Sequence, residues 1–335
     1  MAVAHGCVVD RAGGYFSALS SGEPMPERMK AVYVRSMEAT EPVAVAPTAP
    51  APRRRRAPVT AVEAVPEPEA AASAASEPAE PPPEPASAAS APMAEAASAP
   101  VVAPAETAAS APPFEWPVAT RVTYVLTGYF RGEVHGTAQV EWVREDDRYQ
   151  VHLDVFVGLQ VAPLMSRRMT SEGRITPEGL KPERYDQVTK MAFSSPYRAV
   201  VHLAPDHVVL ANGQRRASLP GLQDTASQFI QLAWQFSTQP GSLKPGAVID
   251  VPLALPRAVS VMRYDVSEPE MLWTPFGEVP VMRLKPRQAP RAGGDLSVEM
   301  WIAPQYRHLP IRLRIHQDAE TFVDLMITKP PELGG

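Results

Sequence analysis

The chain has 335 residues, a formal charge of −5 and one cysteine, Cys7. A single cysteine excludes an internal disulfide and a Cys-based zinc site. After Phe114 the acidic and basic residues balance, so that part lacks the Lys/Arg excess of a nucleic-acid groove, and no nucleic-acid partner is expected.

In chain order, residues 1–40 carry no sustained hydrophobic period and predict an unstructured N-terminal segment. The opening MAVAHGCVVDRAGGYFSALSSGEPMPERMK lacks the uninterrupted apolar run of about 7–15 residues that a signal peptide needs. Residues 41–113 are more than half Ala and Pro and contain no aromatic side chain, a composition that cannot bury enough apolar surface to offset the entropy of ordering. They predict a disordered linker. At about 3.1 Å per residue, a fully extended polyproline II chain of this length reaches on the order of 200 Å. Arg53 to Arg56 are read as a solvated charge run. A spacer of this kind leads to the expectation of a membrane anchor encoded upstream of the given start, with no other membrane contact.

From Phe114 the character changes, and all five tryptophans lie there. Residues 114–330 predict one antiparallel β-rich domain. Thr120–Phe130, Glu133–Val143 and the series Tyr149, Val151, Leu153, Val155 follow the period of two of half-buried strands, joined at Gly132 and at Asp146-Asp147. Arg168–Ile175 and Glu183–Thr189 flank a Thr176-Pro177-Glu178-Gly179 turn, and Ala199–Leu203 and His207–Leu210 lead to the Asn212-Gly213 turn. Later strands are predicted at Ala247–Leu253, Ala258–Val266, Glu278–Leu284, Leu296–Ile302, Ile311–Gln317 and Thr321–Ile327. Strands and helices do not alternate, which argues against a parallel sheet.

One helix is predicted over Thr225–Ser237, with Asp224 as its N-cap and Pro240-Gly241 ending it. It is apolar around much of its girth, so it should lie covered across the open face of a curved sheet. The fold class expected is therefore mainly β: an antiparallel curved sheet or incomplete barrel, one principal helix on its concave face, and a disordered tether in front.

No G-x-S-x-G, Walker, G-x-G-x-x-G or H-E-x-x-H pattern occurs. His202 and His207 bracket a hairpin turn, but surface histidines explain them better than a metal pair, and the same holds for His308 and His316. Glu145, Asp146 and Asp147 are turn residues. Asp224 with Ser227 fits capping better than a Ser nucleophile, which would need a base close by. Arg312 and Arg314, alternating with Ile311, Leu313 and Ile315, read as the solvent face of a strand. No catalytic residue, metal or cofactor is expected, and the chain is not read as an enzyme. What remains is the aromatic-rich helix over a barrel mouth, a place where apolar ligands are held. Phe229, Leu232, Trp234 and Phe236 are the candidate ligand-binding residues; the competing reading is that they fill the core.

The run from Thr176 to Tyr185, the Gln223-to-Ser227 helix entry, the Thr274-Pro275-Phe276-Gly277 turn and Trp301-to-Pro304 leading to Leu309-to-Leu313 occur in this order. Together they make the stretch from Val118 to Ile327 resemble domain-of-unknown-function family 3108, found in envelope proteins of Gram-negative bacteria. The resemblance implies a periplasm-facing module and carries over no functional residue. The predicted architecture is also similar to the lipoprotein-carrier type of fold, which implies a lipid or a lipidated protein as partner, on fold analogy alone. The function expected is an uncharacterised periplasm-facing module that binds an apolar ligand in a half-barrel. The alternative is a structural or protein-interaction domain of the cell envelope with a solid core.

Overall fold

The structure is a computed structural model that describes residues 24–40, 114–159, 162–289 and 296–335. The linker reading of residues 41–113 lies outside the described residues, as do Arg53 to Arg56.

The chain enters with β1 (Tyr33–Ser36). It then runs up and down as a meander through β2 (Ala119–Tyr129), β3 (Glu133–Glu145), β4 (Arg148–Leu159), β5 (Ala162–Thr176), β6 (Gly179–Met191) and β7 (Ser194–Leu203). The short strands β8 (His207–Val209), β9 (Arg215–Ala217) and β10 (Gln223–Asp224) lead into the helix α1 (Ser227–Thr238). A second meander follows: β11 (Val248–Ala254), β12 (Val259–Thr274), β13 (Gly277–Pro286), β14 (Ser297–Ala303), β15 (Leu309–His316), β16 (Phe322–Ile327) and β17 (Glu332–Gly334).

Pairing of β2 with β16 joins the two meanders into one sheet. From β2 the sheet extends through β3 to β9 on one wing and through β16 back to β10 on the other. It curves strongly without closing into a barrel. The one departure from antiparallel order among the described residues is the two-residue parallel pairing of β10 with β11.

Period-two alternation places the core. In β2, Val122, Tyr124 and Leu126 point inward and are buried while Val125 is exposed; in β15, Ile311 and Leu313 do the same. The two T-P-x-G turns share one construction. The Thr176 hydroxyl donates to the Gly179 carbonyl and accepts the Glu178 N–H; Thr274 does the same with Gly277 and Phe276. Gly179 and Gly277 close these turns at φ +102° and +120°, where a side chain would be strained.

The helix starts at Ser227, two residues later than expected, and Ala226 stands at its N-cap position; Asp224, the proposed cap, reaches its first amides from the end of β10. Asp224 Oδ1 accepts the N–H groups of Ala226 (2.8 Å) and Ser227 (2.9 Å), and Ser227 Oγ accepts the Asp224 N–H in return (3.0 Å). The helix bridges the concavity, touching β6 on one wing and β15 on the other. Polar ties fix both walls: Leu180 N–H donates to Gln231 Oε1 at 2.7 Å, and Ser237 Oγ lies 2.9 Å from His308 Nδ1.

The N-terminal segment needs correction. Residues 24–40 were expected to be unstructured, yet they form a strap on the same compact unit as residues 112–335. β1 pairs antiparallel with β17, and Met37 is buried in the core. Upstream of β1 the strap crosses the outer face of the sheet. Arg28 is paired with Glu141 and Asp154, Met29 N–H donates to Gln150 Oε1, and Arg184 donates to the Pro24 carbonyl. Thr40 N–H then donates to Gln305 O, while Arg307, two residues on, donates to Glu115 O. Both flanks of residues 41–113 therefore meet the turn between β14 and β15.

Candidate functional site

The sequence pointed to the mouth of the curved sheet, and the structure places its four candidate residues in two groups. Phe229, Leu232 and Phe236 are buried in the core cluster with side chains from both meanders. Trp234 is half-buried at the rim of the concavity. There it lies parallel to Trp116, with ring centroids 6.4 Å apart. Trp116 stacks on Trp142 at 5.0 Å, Trp142 on Tyr149 at 5.4 Å, and Phe114 meets Trp116 edge-on at 5.1 Å.

The segment before β2 is what closes this mouth. The Trp116 carbonyl accepts from Arg144 and the Pro117 carbonyl from the Trp142 indole N–H. Met37 from the strap packs beside them. The remaining cavity is about 30 Å³ and almost wholly apolar. Ligand pockets occupy roughly 300–1,000 Å³, so this hollow holds nothing larger than a small solvent molecule. The apolar girth of the helix is used to fill the sheet's concavity, and the expected half-barrel hollow is occupied by the protein's own side chains.

Beneath the aromatic stack lies a buried polar chain. Ser171 Oγ donates to Asp224 Oδ2 at 2.5 Å, so the Tyr149 hydroxyl, 3.2 Å from Ser171 Oγ, donates to that oxygen. Asp224 has no exposed surface. Burial pushes its carboxyl above the ordinary carboxylate value, and burial beside Asp224 pushes the Tyr149 phenol up. Ser227 is engaged with Asp224 as a cap, as expected.

The other wing of the site is electrostatic. On the outer face, Asp186 is fully buried between Arg184 and Arg198, and Asp324 is held by Arg312 and Arg314. Arg312 and Arg283 lie over the Trp301 ring at 4.6 and 4.8 Å, so the arginines of β15 organise the outer face instead of standing free in solvent. A recess of about 320 Å³ opens on this outer surface, lined by Thr123, Thr137, Gln139, Asp154 and Phe156.

Among the histidines, His207 sits between Asp206 and Arg215 on the surface. His308 is half-buried, and desolvation lowers its pKa to about 4. The residue that pattern reasoning missed is His152. It is 3% exposed under the strap, bonded to Thr170 and Gln150, and burial together with the nearby Arg28 lowers its pKa to about 4. Because the unfolded ring titrates near 6.5, the unfolded chain binds a proton between these values that the fold refuses. Stability is then full above pH 6.5 and is lost as pH falls toward 4. Urea denaturation at several pH values should show this slope, and His152→Gln should make it shallower.

Among the described residues no cluster of three or more His, Cys, Asp or Glu side chains is placed to hold a metal ion, and no helix is long and apolar enough to cross a membrane. A search of the curated proteins finds no match. Among solved structures, the chain is similar to a β-barrel-like protein of domain of unknown function DUF1849 from Brucella abortus. That similarity has 11% identity and a TM-score of 0.41, over 64% of this chain and 98% of the other. Residues 122–327 match the family described as protein of unknown function, DUF3108, which spans more than half of the sequence and agrees with the resemblance seen from Val118 to Ile327; the chain belongs to that family.

Proposed function

We propose that this DUF3108 domain is a non-catalytic protein-interaction module of the cell envelope, facing the periplasm, with a solid core and a binding surface on its outer face. One observation carries the reading: a ligand-sized recess lies on the outer face beside the strap, while the cavity at the mouth of the concavity measures only about 30 Å³. The mixed polar and apolar lining of that recess, Thr137 and Gln139 next to Phe156, suits a peptide surface better than an acyl chain. The family resemblance supports the envelope location.

The second reading is the apolar-ligand carrier. It is favoured by the almost wholly apolar lining of the small cavity, and it requires Trp116 to swing away from Trp142 and Trp234. Native mass spectrometry of the protein from a Gram-negative host separates the two. The interaction module emerges free of lipid, and a photo-crosslinker at Thr137 captures one discrete periplasmic protein. An equimolar acyl lipid retained by the domain would decide for the carrier.

A further inference from the structure

The antiparallel meander puts the β2–β3, β4–β5 and β6–β7 hairpins at one rim of the sheet. Each tip exposes large apolar side chains: Tyr129 and Phe130 on the first, Leu159 and Leu164 on the second, Met191 and Phe193 on the third. Leu159 is 72% exposed and Phe193 98% exposed. The second and third tips are fastened together, since Ala192 N–H donates to the Leu164 carbonyl at 2.9 Å. Exposed apolar residues scattered singly need no explanation, but six on three adjacent apices do.

Charge is biased at the same place. Residues 155–171 and 187–205 contain no Asp or Glu, and they contribute the exposed Lys190 and the exposed Arg168, which lies 3.7 Å from Asp154. The first tip is balanced, with the exposed Arg131 next to Phe130 and the exposed Glu133 two residues on, so the basic excess lies at the second and third tips. The bias stops at the β15–β16 turn, farther along the rim, which carries Asp318 and Glu320. In a domain whose charges otherwise balance, one wing of one rim is apolar at its apices and basic behind them.

From this we infer that the three hairpin tips form a docking rim for an anionic lipid surface. The exposed apolar side chains enter the interfacial zone while Arg168 and Lys190 meet the headgroups. The shape favours lipid over protein. Phe193 stands clear of its neighbours, so it finds cover in a fluid interface without a matched pocket, whereas a protein partner would need a hole for each protruding tip. Basic residues just behind the inserted groups add the attraction of an anionic leaflet, which makes binding depend on both lipid charge and salt.

The test is co-sedimentation of the full chain with vesicles of phosphatidylglycerol and phosphatidylcholine. Binding is expected to these vesicles, to be weaker on phosphatidylcholine alone, and to fall with added salt. Phe193→Ser should weaken it about tenfold or more, the factor that burying one Phe side chain contributes. Lys190→Glu with Arg168→Glu should remove most of the salt dependence. Phe193 and Lys190 are exposed and outside the core, so thermal melts of their variants should match the parent. The proposal is overturned if the full chain ignores anionic vesicles, or if Phe193→Ser binds them as well as the parent. Loss of a protein crosslink in Phe193→Ser with vesicle binding unchanged would likewise overturn it and assign the rim to a protein.

Discussion

Asp224→Ala should lower the unfolding free energy by about 3–5 kcal/mol in urea denaturation at neutral pH. The carboxylate has no solvent contact, and it accepts the Ser171 hydroxyl and two backbone N–H groups at the start of α1. Alanine leaves three buried donors without their acceptor, each costing about 1–3 kcal/mol before local relaxation. The cost is concentrated because α1 is the element that spans the concavity: losing its first turn loosens Phe229 and Ile230 against both walls. Asp224→Asn should fall much nearer the parent, since its Oδ1 still accepts both amides. The pH dependence separates the two effects. Burial raises the folded carboxyl pKa above 3.8, so this group's contribution is greatest below that value and declines as pH rises toward the folded pKa. Asparagine lacks that decline.

The second large effect is expected at Trp142, which is almost fully buried with Trp116 and Tyr149 stacked on its two sides and its indole N–H on Pro117 O. Trp142→Ala should cost about 3–5 kcal/mol, the transfer free energy of the ring plus the void it leaves. That void adjoins the existing 30 Å³ cavity at the mouth. The variant should therefore take up a benzene-sized probe, seen as stabilisation against heat in its presence, while the parent gains nothing. Equal stabilisation of the parent would show a concavity that opens in solution and would return the carrier reading to first place.

The strands were legible wherever one face met the core and the other met water. Tyr124 and Leu126, alternating with the exposed Val125 and Thr127, read correctly for that reason, and the T-P-x-G turns and the Asp224 contacts are local chemistry written within four residues. His152 was illegible by the same logic. Alternation assigns it to the outer face, where it does lie, but its burial comes from residues 24–30, more than a hundred positions away. The strap gave no signal because β1 is four residues long and buries almost nothing through its own side chains. Its hold comes from backbone pairing with β17 and from Arg28, features without a periodic signature. Trp116 escaped notice as a site residue because it precedes the first periodic segment. The candidate set on α1 was drawn from the correct helix, but an apolar girth reports that a helix is covered and is silent on whether ligand or protein covers it.

Thr40 and Glu115 meet at a single turn. Residues 40 and 115 are both held there, whatever length of chain joins them. Inserting or deleting alanine and proline between them should therefore leave residues 24–40 seated on the sheet as before. That seat is set by the Pro24 carbonyl on Arg184 and by the pairing of β1 with β17.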